Sequence, residues 1–516
     1  MTSLPDAAAR TGAAPATVRL HPDDNVLIAP RAIMAGTVLE PGGPAACEDI
    51  PAGHKVASRT IAAGETIRKY GQIIGTALAT IEPGAHVHVQ NLGMGAHRQD
   101  YAFGADLRPL PPAETEARFR GYVRPSGRVG TRNFIGILTS VNCAGSVARF
   151  IAEAAERAGW LDAFPNVDGV VPIVHGTGCG MSGKGDGYET LFRTIAGYGH
   201  NPNFGAILMV GLGCEVMQIP DLIDRKALKD SARFRYMTIQ QTGGTRATVE
   251  KGVAILRELA AEADRVGRES VPARHLSVGM QCGGSDGYSG FTANPALGVA
   301  SDLLVRQGGI TMLSETSEIY GAEHLLTRRA VDEPTGRRLV DLIEWWEDYT
   351  ARNFGEMDNN PSPGNKRGGL TTILEKSLGA VAKAGTAPLS GVYRYGEPID
   401  SPGLAFMDSP GYDPCSVTGQ TASGANLIAF TTGRGSVSGY KPVPCIKLAS
   451  NSEMYARMQE DMDVNCGDIV EGVPIAEKGR EIFELMLRVA SGEKTKSEAQ
   501  GFGGVEFVPW QIGAVM

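Results

Sequence analysis

From Gly121 onward the sequence alternates short apolar runs with amphipathic stretches, and that alternation restricts the fold more than any other property of the chain. FIGILTS, GVVPIVH, AILMVGL, LSVGM and ITMLS have the length of buried strands, whereas VARFIAEAAERAGW and TVEKGVAILRELAAEADRV repeat apolar residues at a helical period. Strands separated by helices need crossover connections, so this region is expected to form α/β layers around a largely parallel sheet.

Glycine sharpens the reading. There are 67 glycines in 516 residues, many gathered in polar clusters directly behind the strand-like runs: His175-Gly-Thr-Gly-Cys179, Gly213-Cys-Glu215 and Gln281-Cys-Gly-Gly-Ser-Asp286. Glycine allows sharp turns and close backbone approach, and open α/β sheets bind ligands at the carboxyl ends of their strands, so these clusters are expected to converge.

A chain this long exceeds one core, and the sequence divides readily. Residues 1–17 are small and polar, an expected disordered tail. Residues 18–105 (TVRL, NVLIA, HKVASRTI, TIRKY, IIGTALATI, HVHV) read as a small β-rich module without a long helix. Residues 106–120, DLRPLPPAETEARFR, have linker chemistry. A catalytic α/β domain is expected over 121–385. A Gly/Pro-rich break at 384–402 sets off a C-terminal α/β domain over 386–516 with strands GLAFMDS, NLIAF and CIKLASN and a last helix EKGREIFELMLRVASG.

Several classes are disfavoured. Net charge is −8 with no run of Lys or Arg, which argues against nucleic acid and anionic membrane as partners. No apolar stretch reaches bilayer length, and the first residues lack a signal-peptide core, so a cytoplasmic protein is expected. The 8 cysteines show neither a disulfide framework nor a CxxC pair. An anionic small-molecule substrate would have to rely on local cations.

Chemistry-bearing residues recur beside the glycines. His54 and Lys55 adjoin in the β-module, and strand alternation puts His86 and His88 on one face, where they could grip a divalent metal or an anion, or simply be solvated. Glu215, Asp286, Glu315 and Glu318 are carboxylates at strand ends, suited to metal binding or proton transfer, though Asp286 could equally cap a helix. Cys179, Cys214 and Cys282 could hold an iron–sulfur cluster with one open iron, but the simpler account is a small residue packed under each turn. Asn360-Pro-Ser-Pro-Gly-Asn365-Lys366-Arg367 offers amides and cations for a polyhydroxy carboxylate, and Thr432 and Arg434 lie in an anion-binding turn, TTGRG. Spacing does not decide whether Lys184, Lys376 and Lys383 join a site.

Taken in order, DNVLIA, GHKVA, GRVGTRNFIGILTSVNC, HGTGCG, NPNFGAILMVGLGCE, MQCGGSDGYSGFTANPALG, NPSPGNKRGGLTTILEKSLG and TTGRG resemble the family that contains altronate dehydratase and galactarate dehydratase. The resemblance covers nearly the whole chain after residue 18. It implies an N-terminal SAF-type β-clip domain, a catalytic α/β region, activity with Fe2+ or a similar ion, and a 2-keto-3-deoxy sugar-acid product. The motifs are mixed: MQCGGSDGYSG and KRGG resemble galactarate dehydratases, while HVHVQN resembles altronate dehydratases with Gln90 in place of a third histidine. HGTGCG departs from the HxYGC form of both. A sulfolactate sulfo-lyase shares the family and also eliminates a β-substituent.

The expectation is therefore a metal-dependent hydro-lyase acting on an aldonate or aldarate by C2 proton abstraction and loss of the C3 hydroxyl. The alternatives are a sulfo-lyase and a non-catalytic sugar-acid-binding protein. Expected catalytic residues are His54, Lys55, His175 and Glu215; expected substrate ligands are Asn360, Asn365, Lys366, Thr432 and Arg434; expected metal ligands are His86, His88 and Asp286. The expected ion is Fe2+, with Mn2+ or Mg2+ as alternatives, no iron–sulfur cluster is expected, and the expected assembly is a homodimer.

Overall fold

The computed structural model describes residues 16–95, 100–225, 228, 232–513 and 515, so the expected N-terminal tail lies almost wholly outside the described residues. The β-module contains strands β1 (Val26–Ile28), β2 (Lys55–Ala57), β3 (Thr66–Lys69), β4 (Gln72–Ala77), β5 (His86–Val87) and β6 (Leu92–Gly93). They pair antiparallel in two small sheets, β1-β2-β5 and β3-β4-β6. Tight turns keep the strands short. At Gly84, for example, φ is +83° and an added Cβ would lie 1.9 Å from the Ala45 carbonyl oxygen, so only glycine fits. Ile61, Ile67, Ile74, Ile81 and Val87 fill the interior.

The segment expected as linker, 106–120, is extended chain laid on the surface, tied by Ala113 N donating to Arg306 O and by an Asp106–Arg328 ion pair. It ends three residues early, because Arg118 opens strand β7 (Arg118–Val123), which continues through β8 (Val129–Gly130). Next come β9 (Phe134–Thr139), β10 (Gly169–Ile173), β11 (Phe204–Gly211) and β12 (Phe234–Thr238), a parallel sheet of order β10-β9-β11-β12. The first three are the expected apolar runs. The edge strand β12, FRYMT, leaves Tyr236 46% exposed and carries no continuous apolar run that would announce it. One face of the sheet is covered by helices Gly145–Arg157 and Thr245–Asp264, the other by helix Asp186–His200.

After β13 (Glu269–Pro272), which pairs antiparallel with β7, a second and larger sheet begins. Its strands are β14 (Ser277–Cys282), β15 (Ile310–Leu313), β16 (Leu389–Tyr393), β17 (Gly403–Met407), β18 (Leu427–Thr432), β19 (Cys445–Ala449) and β20 (Val464–Asn465). All pair in parallel, in the order β16-β17-β15-β14-β18-β19-β20. The central strands β14, β18 and β19 are buried at every residue, as expected of a parallel sheet covered on both faces.

This sheet runs across the division expected at residue 385, since β14 and β15 precede it and pair with β18 and β17, which follow it. The Gly/Pro signals of that stretch mark the loops around the edge strand β16, and loop chemistry alone does not part a sheet. The strand order also places a topological switch point, the usual position of a ligand crevice in such sheets, at the carboxyl ends of β14 and β18: the chain leaves β14 toward β15 on one side and later returns to β18 on the other. Among the described residues no helix is long and apolar enough to cross a membrane.

Candidate active site

Three chain segments meet over that crevice: the turn after β14, the loop Asn360–Gly369, and the β-module around Gly53. They cross at glycines. Gly287 N donates to Gly368 O at 2.7 Å, and a Cβ on Gly287 or Gly369 would lie 2.0 or 2.6 Å from the Gly53 carbonyl oxygen. Side chains here would force the segments apart, which is why SDG and KRGG both carry glycine at the crossing. Tyr288 Oη donates to Pro30 O at 2.9 Å and ties the β14 turn to the module.

The junction gathers the three histidines singled out in the module. His54 enters β2, and the antiparallel pairing of Val56 with His86 brings β5 alongside. His54 Nδ1 and His86 Nε2 lie 3.0 Å apart, and the three ring centroids of His54, His86 and His88 are 5.0–5.5 Å from one another. The catalytic region holds them: His54 Nε2 faces Arg367 O at 3.3 Å and His88 Nε2 faces Lys366 O at 2.8 Å. A carbonyl can only accept, so each of these nitrogens carries the proton, and Nδ1 of His54 is left with a lone pair. Burial pulls His54 and His86 down to about 4, and burial also lowers His88. All three are neutral at pH 7. Gln90, where a third strand histidine was looked for, turns to His86 O.

Lys55, expected to be catalytic, is fully buried and committed elsewhere. Its Nζ donates to Gly369 O at 2.7 Å and to both Glu375 carboxylate oxygens at 2.8 and 3.0 Å, while Lys69 Nζ reaches Glu375 Oε1 at 2.9 Å. Burial opposes ionisation of Glu375, yet the two ammonium groups hold it well below the usual carboxylate range. This three-charge knot fastens the module to helix Ile373–Ala382.

Asp286 lies on the far side of the glycine crossing. Its carboxylate accepts from Tyr288 N, Ser289 N, Ser289 Oγ, Ser450 Oγ and Asn451 Nδ2, all within 3.1 Å. Five donors fill its lone pairs, and it clamps the turns after β14 and β19; it does not fit the metal-ligand role expected of it. Asn365 is similarly occupied: it closes a capping box with Ser362 at the start of a short helix, Pro363–Arg367, and donates to Ser285 O. The expected loop is thus partly helical, announced by the Ser-x-x-Asn spacing. Asn360 donates to Glu318 and accepts from Lys376. Thr432 is buried and receives Gly435 N. Among the described residues, no hydrogen bond or ion pair engages the Lys366 ammonium or the exposed Arg434 guanidinium, which leaves both cations available to an anion at the rim.

Beneath the crevice, Cys282 at the end of β14 meets Glu315 and Glu318 from behind the neighbouring β15, with ligand atoms within 4.8 Å of one another. Glu315 is held at φ +70°, and its Oε1 is buried without a partner. Lys383 Nζ lies 2.8 Å from Cys282 Sγ and 3.5 Å from Glu315 Oε2, and Lys376 Nζ lies 2.6 Å from Glu318 Oε1. Burial, then Glu318, raises the Glu315 carboxyl well above its usual range, and burial pushes the Cys282 thiol up to about 12. The two lysines whose role spacing left undecided therefore supply the positive charge of this cluster.

The remaining expected residues stand apart. His175 and Glu215 cap the four-stranded sheet, where His175 Nε2 faces Thr139 O and Glu215 binds Ser140 Oγ and Gly213 N. The three cysteines considered together are likewise divided, with Cys282 buried in the large sheet and Cys179 and Cys214 exposed on the small one.

Comparison with known proteins agrees with this division into parts. Residues 15–95 match the family model for the altronate/galactarate dehydratase SAF domain, residues 121–264 that for the D-galactarate dehydratase/altronate hydrolase second domain, and residues 273–515 that for the D-galactarate/altronate dehydratase C-terminal region. The chain is 36% identical to altronate dehydratase of Bacillus subtilis (strain 168) over 496 residues, 94% of this chain and 97% of that protein. It is 40% identical to galactarate dehydratase (L-threo-forming) of Escherichia coli (strain K12) over 491 residues, 92% and 93% of the two. It is 32% identical to (2R)-sulfolactate sulfo-lyase subunit beta of Chromohalobacter salexigens over 389 residues, 74% of this chain and 95% of that subunit.

Proposed function

The chain belongs to the D-galactarate/altronate dehydratase family, and from that premise we propose that it removes water from an aldonate or aldarate to give a 2-keto-3-deoxy acid, at the junction of the β-module with the strand-end crevice. The observation that carries the placement is the group of three neutral imidazoles held against the backbone of Lys366 and Arg367.

Dehydration of a 2,3-dihydroxy acid needs a base for the weakly acidic C2 proton, charge stabilisation at the carboxylate, and a proton for the departing C3 hydroxyl. Lys366 and Arg434 supply cations for the carboxylates. His54 is fixed with its lone pair on Nδ1, and its 3.0 Å contact with His86 Nε2 allows a proton to pass between the rings. An imidazole of the trio accepts the C2 proton at neutral pH because none is already charged. The same two nitrogens have the spacing of neighbouring ligands on one divalent ion, so in a metal-bound protein His54 and His86 would be ligands, fitting the ion better than the donor-saturated Asp286 but no longer relaying a proton, and the base role would pass to His88. Fe2+, with Mn2+ or Mg2+ as alternatives, would there stabilise negative charge building at the carboxylate.

The test is a panel of hexonates, hexarates and sulfolactate, offered to chelated protein and to protein reloaded with each ion, read by the thiobarbiturate colour of keto-deoxy acids. Colour from one sugar acid, lost on chelation and restored by Fe2+ or Mn2+, is the expected outcome. Sulfite release from sulfolactate alone would transfer the assignment to the sulfo-lyase branch of the family, to which the chain is also similar. Turnover of none of the acids would sink it.

A further inference from the structure

The carboxyl end of the four-stranded sheet carries a feature that dehydration at the β-module does not use. Cys143, Cys179 and Cys214 follow β9, β10 and β11 by 4, 6 and 3 residues, and these three strands are adjacent, in the order β10-β9-β11. Successive cysteines are 36 and 35 residues apart, one strand–helix unit each, so the repeat of the fold delivers one thiol to each neighbouring strand end.

The three loops are knit into one crown. Asn142 N donates to Thr177 O at 2.9 Å, and Val216 N and Met217 N both donate to Gly178 O at 3.1 Å. A Cβ on Gly178 would lie 2.2 Å from Ser140 O, so the loop bearing Cys179 lies directly against the one bearing Cys143. Ser140 Oγ joins Glu215 Oε1 at 2.6 Å, which draws in the loop bearing Cys214.

Free cysteine ordinarily behaves as a small buried hydrophobe. Cys282, Cys415, Cys445 and Cys466 obey that rule, whereas Cys143, Cys179 and Cys214 are all exposed, so packing under a turn does not account for them. A second observation concerns their surroundings: Gln240, just past the fourth strand β12, directs Nε2 at Cys214 Sγ from 3.4 Å, the kind of amide donor that supports a metal-bound thiolate. Cys143 itself lies in the short 3-10 turn Asn142–Ala144 that leads into helix Gly145–Arg157.

The three thiols do not converge as the ligands of a single ion do. Sulfurs that share one zinc ion crowd around a single centre, but among the described residues only Cys282, Glu315 and Glu318 bring three ligand atoms within 4.8 Å. A cubane cluster holds its cysteinates farther apart because each binds a different iron. We propose that Cys143, Cys179 and Cys214 form the binding site of an iron–sulfur cluster of the four-iron type, whose fourth iron has no cysteine and is open to an oxygen ligand.

The full-length protein, reconstituted without oxygen from ferrous iron and sulfide, tests this independently of any turnover assay. The expected result is a brown protein absorbing near 400 nm, with about four iron and four sulfide per chain, and with these three thiols shielded from iodoacetamide. Cys143→Ser, Cys179→Ser and Cys214→Ser should each lower the sulfide retained at least several-fold, whereas Cys47→Ser, an exposed thiol in the β-module, should not. Three outcomes would overturn the proposal: a colourless protein without sulfide whose thiols stay reactive, one zinc per chain in place of iron and sulfide, or a cluster that survives all three substitutions.

Discussion

At the scale of single residues, the histidines and Asp286 should separate cleanly. His54→Ala and His86→Ala are expected to lower kcat/KM by about 100-fold or more, the usual worth of a lost proton-transfer group, with the circular dichroism spectrum unchanged. Asp286→Ala instead strands five donors on the turns after β14 and β19 and should be read first as a lower melting temperature. If His54→Ala keeps full activity, the trio is structural. His175 makes a pH-dependent contribution of known sign. Burial holds it at about 4 in the folded protein against 6.5 when exposed, so between those values the unfolded chain binds more protons. Stability is therefore intact above pH 6.5 and falls as pH drops toward 4, by roughly 3 kcal/mol for this group. Urea midpoints at pH 7, 5 and 4 should fall less steeply in His175→Gln than in the parent; equal slopes would refute the assignment. The histidines were legible because alternation and clustering are local signals. The occupation of Asp286 was not, because Ser450 and Asn451 lie 164 and 165 residues away.

Among elements, the weight falls on how the module is attached. Glu375→Gln leaves the ammonium groups of Lys55 and Lys69 buried beside a neutral amide, and should cost about 3–5 kcal/mol in denaturant titrations. Gly287→Ala should open the glycine crossing and reduce both melting temperature and activity, whereas Gly64→Ala, at φ +81° with open space around it, should show only its backbone strain. Comparable effects of the two would mean the crossing is not tight. Most strands of both sheets could be read as apolar runs between glycine-rich turns. What local pattern could not convey is which strands are neighbours: residues 384–402 have every mark of a linker, yet the strands on either side of them lie in one sheet, because pairing is decided by crossover helices and not by the loops.

For the molecule as a whole, the module and the catalytic region are joined by one surface-laid segment but held by the charge knot and the crossing. A chain divided within residues 107–112 and expressed as two pieces should therefore copurify, and Glu375→Gln should weaken that association; pieces that separate at once would show that the covalent link does the holding. The order in which such a protein is made then matters. Lys55 leaves the ribosome 320 residues ahead of Glu375 and Lys69 leaves 306 ahead. At about 5–20 residues per second, the two lysines wait roughly a quarter of a minute to a minute without their counter-ion. The histidine face stays uncovered for the same interval, so during synthesis the N-terminal module is a half-finished surface carrying two unpaired lysines, and its completion is timed by the translation of the catalytic region.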